Sequence, residues 1–240
     1  GLMTHPLQGI ACEAGLTQSS NYVANHSGFA NIPKGHIAPR VSGDGAVRQV
    51  PAVVCVNGQA YPALAISALL QATNATSWNA SIEPGSGWLA PEQVLRLAAY
   101  PGLNIPLDAE GDLRISYREL PENFRAVSAV DVINGNLPAG MLNNAWVLVG
   151  ATAFGMGDIV PTPYNGMAPG VELQARLLTS LLDTTMPYSP RHASVLLMLL
   201  ALIASGILYG LASARERMAA YGLPVAGLLL PVAALVLHWQ

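Results

Sequence analysis

The sequence predicts a mixed α/β soluble head followed by a transmembrane helical hairpin, and three observations carry that expectation. Two C-terminal runs, Ala193 to Ala214 and Ala219 to Leu237, contain no charged residue and are separated by Arg215-Glu216-Arg217. Each run reaches the roughly 20 residues that a helix needs to cross a bilayer's hydrocarbon core. Upstream of them, strand-like runs, turn signals and amphipathic helical stretches alternate. Short wholly apolar runs such as Trp146 to Gly150 suit strands covered on both faces, as in a parallel sheet. The expected organisation is a head over residues 1–190, a first span over 193–214 and a second over 219–238.

Composition narrows the options. The chain has 240 residues, of which 52% are hydrophobic and only 10% charged. Soluble domains carry about 25% charged residues, and the two apolar runs account for only part of the deficit. A head of this size can bury one full core. With a net charge of −3 and no basic stripe, nucleic acid is excluded as an expected partner. Short loops rich in Arg stay cytoplasmic. Arg215 and Arg217 therefore place the loop between the spans inside, against Arg191 alone at the other end, and the head outside. The start, Gly1 to Pro6, is neither a signal peptide nor an anchor. The chain is accordingly read as a piece of a longer protein.

The elements follow in order. Residues 1–34 read as loops, with one short strand around Phe29 to Ile32. Asp44-Gly45 is a hairpin signal between a segment at His36 to Val41 and a strand from Val47 to Val56, whose end Pro51 to Val56 has a buried character. Asn57-Gly58 marks a second turn. A helix is expected from Pro62, which suits a first turn, to Thr73. Thr73 to Pro91 reads as irregular, and Val94 to Leu97 as a strand. Beyond a turn at 108–111, Leu113, Ile115 and Tyr117 alternate with Arg114, Ser116 and Arg118 on a strand. Ser128 caps a short helix that Gly135 ends. Trp146 to Gly150 is expected as the central strand, followed by a Gly- and Pro-rich loop to Ala168. The last element of the head is a helix from Pro169 to Leu182 with Val171, Ala175, Leu178 and Leu182 on its apolar face.

Several of these blocks together resemble one known family. Trp146-Val147-Leu148-Val149-Gly150-Ala151-Thr152-Ala153, Gly157-Asp158, Thr162-Pro163 and Pro169-Gly170-Val171-Glu172-Leu173-Gln174-Ala175 resemble the C-terminal signature of the CHASE2 family. Upstream, Ile105-Pro106-Leu107-Asp108, Ile115-Ser116-Tyr117-Arg118 and the hairpin Asp44 to Pro51 are similar to that family's pattern in the same order, so the resemblance spans roughly residues 28–183. It implies an extracytoplasmic sensor module of a bacterial signalling protein, held in the inner membrane with its head in the periplasm. Transmembrane helices and a cytoplasmic output domain, such as a kinase, a nucleotide cyclase or a cyclic-di-GMP enzyme, would follow.

Candidate site residues are few. The sequence contains no Gly-x-Ser-x-Gly elbow, no phosphate loop and no His-Glu-x-x-His helix. No catalytic residue, metal site or cofactor is therefore expected. His5, His26 and His36 read as surface or loop histidines. Ligands of α/β sheets favour the crevice beyond the carboxyl ends of strands, which singles out Thr152 and Asp158 after Gly150, with Glu172 opening the next helix. Asp158 bonding loop amides and Glu172 favouring the positive helix end are the competing structural readings. Arg118, at a strand end, suits an anion clamp or an internal salt bridge. Cys12 and Cys55 are free to pair in an oxidising compartment, or Cys55 is a core residue of an apolar strand. Gly206 and Gly210 form a small-xxx-small pair, suited to a homodimer or to packing on the second span.

The leading expectation is a sensor that binds a small ligand or an extracytoplasmic protein and passes the change through the bilayer. A membrane-tethered envelope hydrolase and a passive adhesion or assembly module are the alternatives.

Overall fold

Two Asx-Gly turns organise the first half of the chain. A computed structural model describes all residues except 1–4, 13, 14, 24, 30, 76, 153–157, 215–226, 230 and 232–240. At the first turn, Gly45 adopts φ +85° and donates its N–H to the Ser42 carbonyl. The turn joins β2 (Arg40–Val41) to β3 (Val47–Pro51) as an antiparallel pair. At the second, Asn57 and Gly58 have φ +51° and +76°, the two positive values of a type I′ hairpin turn. This turn joins β4 (Val53–Val56) to β5 (Gln59–Pro62).

The expected single strand from Val47 to Val56 is in fact two strands in two sheets. Buried Ala52 stands at the corner, its N–H donated to the Gly111 carbonyl and its carbonyl accepting from Ala63. Beyond the corner, β4 pairs in parallel with β1 (Thr17–Ser19). Behind it, β3 pairs with β9 (Asp112–Arg114). A third sheet is a meander of β6 (Ala80–Pro84), β7 (Gln93–Leu97) and β8 (Tyr100–Leu107). The fold is thus mixed α/β with small sheets, and β1–β4 is the one parallel pair among the described strands.

One core joins the three sheets to two helices. Val50, Val53, Ile66, Leu70, Leu95, Ile105, Leu113 and Leu177 are all buried within it. Helix α1 (Leu64–Ala72) begins two residues later than expected, because Pro62 closes the β5 ladder. Helix α2 (Ala129–Asn134) is capped by the Ser128 hydroxyl, which accepts the Val130 N–H, and ends at Gly135 with φ +71°, as its residues dictate. Two-residue strands β10 (Ile159–Val160) and β11 (Ala168–Pro169) pair before α3 (Gly170–Leu182). The buried face of α3 carries Leu173, Leu177, Leu178 and Leu181, and Leu182 is exposed. That stripe is rotated from the expected one because α3 packs on α1.

Other expectations fail locally. Phe29 ends a 3-10 turn (Ser27–Phe29) instead of starting a strand. The segment 80–84, read as irregular, is β6, drawn into the meander by five residue pairings with β7. His36 is largely buried, held by backbone bonds from its N–H to Pro62 and from Leu64 to its carbonyl. Most consequentially, Trp146 to Gly150 forms no strand. Val147 is 56% and Val149 89% exposed. The central place is already filled by β4, whose two edges are taken by β1 and β5.

Cys12 and Cys55 form a disulfide with Cα atoms 5.8 Å apart. Both sequence readings of Cys55 hold, since it is also buried in β4. Polar anchors complete the frame. Arg40 pairs with the buried carboxylate of Asp112 and donates to Thr17 Oγ1 at 3.0 Å. Gln49 Nε2 donates to Asp108 Oδ2 at 2.7 Å. Burial pushes the Asp112 carboxyl up, and the Arg40 bond opposes that shift.

The first apolar run is helix α4 (Ala193–Ala214), with the expected bounds. Its 18-residue window from Ala193 to Gly210 is long and apolar enough to cross a membrane and is not covered by the head. The second expected span lies outside the described residues, except for 227–229 and 231, which are helical. Among the described residues one helix, α4, is long and apolar enough to span, and the hairpin remains an expectation.

Candidate functional site

The expected strand from Leu113 to Arg118 is shorter than read, since β9 ends at Arg114 and residues 115–118 continue without strand pairing, but its in-and-out burial persists. Leu113 and Ile115 are buried, while Arg118 is exposed. This puts the Tyr117 ring against α3. The Tyr117 hydroxyl donates to the Val47 carbonyl at 2.5 Å, and burial pushes its pKa up to about 12, with Arg176 opposing.

Beneath it lies a residue that the sequence reading missed. Arg176 is almost wholly buried on α3. Its Nε and Nη2 donate to Glu172 Oε1 at 2.9 and 2.7 Å, and its Nη1 donates to the Glu119 carbonyl at 2.5 Å. Its guanidinium also lies 5.1–5.7 Å from the ring centroids of Tyr117, Phe124 and Tyr164, within reach of cation–π attraction. A buried charge demands such complete pairing. The available signal was the Glu172…Arg176 spacing of four on a helix.

Beside this cluster opens a cavity of about 300 Å³. Ser116, Arg118 and Glu119 line it from the segment that follows β9, and Thr179, Asp183 and Thr185 from the end of α3. Among the described residues the Arg118 guanidinium has no hydrogen bond or ion pair, so the internal salt bridge considered for it is not formed. The Glu119 carboxylate accepts from Asn123 Nδ2 at 2.7 Å. The lining offers one open cation, hydroxyls and two carboxylates, a set that suits a small polar molecule carrying both charges.

The four expected contacts do not converge. Arg118 lines the cavity, and Glu172 is one turn before Arg176 and bonded to it. Asp158 stands at the opposite end of α3, about 15 Å along the helix from Ser180. Its carbonyl accepts the Gly170 N–H at 2.7 Å, and a Cβ on Gly170 would stand 3.3 Å from its Oδ2. Gly150 reaches the same helix start, where a Cβ would stand 2.5 Å from that of Val171. Thr152 is exposed, and Gly155 and Gly157 of the intervening loop lie outside the described residues. No group of three or more His, Cys, Asp and Glu residues is placed to hold a metal among the described residues.

A disulfide-bonded α/β head that leads straight into an apolar helix belongs to the class of domains built for oxidising compartments. The profile of the CHASE2 domain matches residues 10–209, which takes in the head and most of α4. The chain belongs to the CHASE2 family of extracellular sensor domains. No match is found among curated proteins or among solved structures.

Proposed function

We propose that the chain is the periplasmic sensor head of a bacterial inner-membrane signalling protein, with α4 as its first membrane span. The second apolar run returns across the bilayer, and the signal passes to a cytoplasmic output domain. Family membership supports sensing, and α4 supports the span. The orientation rests on Arg215 and Arg217.

The cavity at Arg118 is the ligand site in this reading, and the observation that carries it is the open guanidinium beside the end of α3. A small molecule carrying a carboxylate and an ammonium, such as an amino acid, binds Arg118 and the hydroxyls of Thr179 and Thr185, with its ammonium toward Glu119 and Asp183. Those two threonines lie less than fifteen residues before Ala193, so an occupant bears on the connector into α4. Glu172 acts through Arg176 by holding the cavity floor. Asp158, against Gly170 at the start of α3, and exposed Thr152 are left out of this site.

Thermal-shift screening of amino acids on the detergent-solubilised chain tests the site. A ligand at 100 times its Kd adds about 2.7 kcal/mol of stability. That shift should vanish in Arg118→Gln and persist in Asp158→Asn. The opposite pattern would move the site to the start of α3. A shift untouched by either change would remove both.

A further inference from the structure

The loop between β6 and β7, residues 85–92, is tied to the start of α4. Arg191 donates its N–H to the Ala90 carbonyl at 2.9 Å and its Nη1 to the Gly85 carbonyl at 3.2 Å. The Trp88 ring centroid lies 5.6 Å from that of His192. The loop itself is tightly closed. Gly85 donates to the Glu92 carbonyl at 3.0 Å, and a Cβ on Gly85 would collide with the Pro91 carbonyl oxygen. Such a closed tip moves as a unit, and it cannot leave α4 without breaking both Arg191 bonds.

At this tip the apolar side chains face solvent. Trp88 is 70% exposed and Leu89 59%. No residue from Gly85 to Pro91 is charged, and the nearby Glu83 is paired with Arg96 at 3.1 Å. Tyr188, three residues before Arg191, is also exposed.

Helix length sets where the bilayer must begin. The 22 residues of α4 rise about 33 Å, close to the roughly 30 Å of a hydrocarbon core. The apolar boundary therefore falls at Ala193, with Arg191 and His192 among the headgroups. Trp and Tyr collect at that depth, where an apolar ring meets a polar surface. Trp88 stands beside His192 and hence at the same level.

We propose that the 85–92 loop is a second membrane contact of the head, in which Trp88 and Leu89 enter the headgroup region of the outer leaflet beside α4. The occupant is the lipid interface, because the tip is continuous through Arg191 with the helix that enters it. The contact makes the β6–β7–β8 meander a strut between bilayer and core. The head then cannot swing freely about residue 192, and a change in the head reaches α4 at a fixed angle.

The inference rests on α4 being a membrane span, so the test separates the two. The native cysteines are paired, and a single introduced thiol on the full chain can therefore carry an environment-sensitive fluorophore. Three positions are compared in phosphatidylcholine/phosphatidylglycerol vesicles with and without brominated acyl chains. A probe at Leu197→Cys reports α4, one at Leu89→Cys the loop, and one at Ile133→Cys an exposed position on α2 of the head. The expected result is loss of emission in brominated lipid at Leu197 and Leu89, none at Ile133, and recovery of the Leu89 signal when Trp88→Ser is added. Quenching at Leu197 without quenching at Leu89 would overturn the loop contact and leave the span intact. No quenching at Leu197 would remove the span, and the loop contact with it. A Leu89 probe that shifts to the blue without quenching would assign the tip to a protein partner and overturn the proposal.

Discussion

Val53-Val54-Cys55-Val56 and Trp146-Val147-Leu148-Val149 are nearly interchangeable as sequence, yet they meet opposite fates. The first is a wholly buried strand with a ladder on each edge and a disulfide through Cys55. The second forms no strand and is largely exposed. An apolar run states how much a segment gains by burial; it does not state which segments will cover it. The run at 53 is followed by Asn57-Gly58, which brings a partner strand back at once and at little entropic cost. The run at 146 meets no partner strand among the described residues.

Charge placed in the two runs should break the comparison most sharply. Val53→Asp buries an acid among Val50, Ile66 and Leu70, at a cost of more than about 4 kcal/mol, and the chain should fail to give a folded head. Val147→Asp, on an exposed site, should stay within about 0.5 kcal/mol of the parent. Urea unfolding followed by tyrosine and tryptophan emission measures both. A Val147→Asp loss of several kcal/mol would mean that the second run is covered in the native protein.

The disulfide is the next largest difference between the regions. Cys12 and Cys55 are 43 residues apart, and a loop of that length is worth about 3–4 kcal/mol in the chain-entropy account. Cys12→Ser with Cys55→Ser should lower the unfolding midpoint accordingly. Hydrogen exchange should rise first in β1 and β4 and remain unchanged at 146–149. Uniform exchange across both regions would show that the bridge does not act locally.

His36 sharpens the contrast by acidity. Its backbone bonds tie it to Pro62 and Leu64, at the join of β5 and α1. Burial lowers its pKa from 6.5 to about 4, which the nearby Pro51 carbonyl opposes only in part. The unfolded chain therefore binds this proton at pH values where the folded chain does not. The stability it confers is complete above pH 6.5, declines as pH falls toward 4, and levels off below that. The loss is on the order of 3 kcal/mol. His36→Gln should flatten that part of the profile between pH 6.5 and 4. An unchanged acid profile would show that His36 is already charged or solvated in the fold.

Local chemistry in the sequence determined the turns at Asp44-Gly45 and Asn57-Gly58, the Ser128 cap, the Gly135 stop, the bounds of α3 and α4 and the alternation from Leu113 to Arg118. Each depends on residues within a few positions of one another, so no distant partner has to be known. Arg118 was legible as a candidate anion-binding guanidinium, although the strand it was read on ends at Arg114 and Arg118 lies in the segment beyond it. Tertiary structure alone decided that Val47 to Val56 splits at Ala52, that β4 takes the centre, that Cys12 reaches Cys55 and that His36 is buried. It alone brought the rings of Tyr117, Phe124 and Tyr164 around Arg176 and put the loop at Trp88 beside α4. Those outcomes depend on which surfaces compete for the same neighbour, and burial is a property of the pair that meets and not of either segment alone.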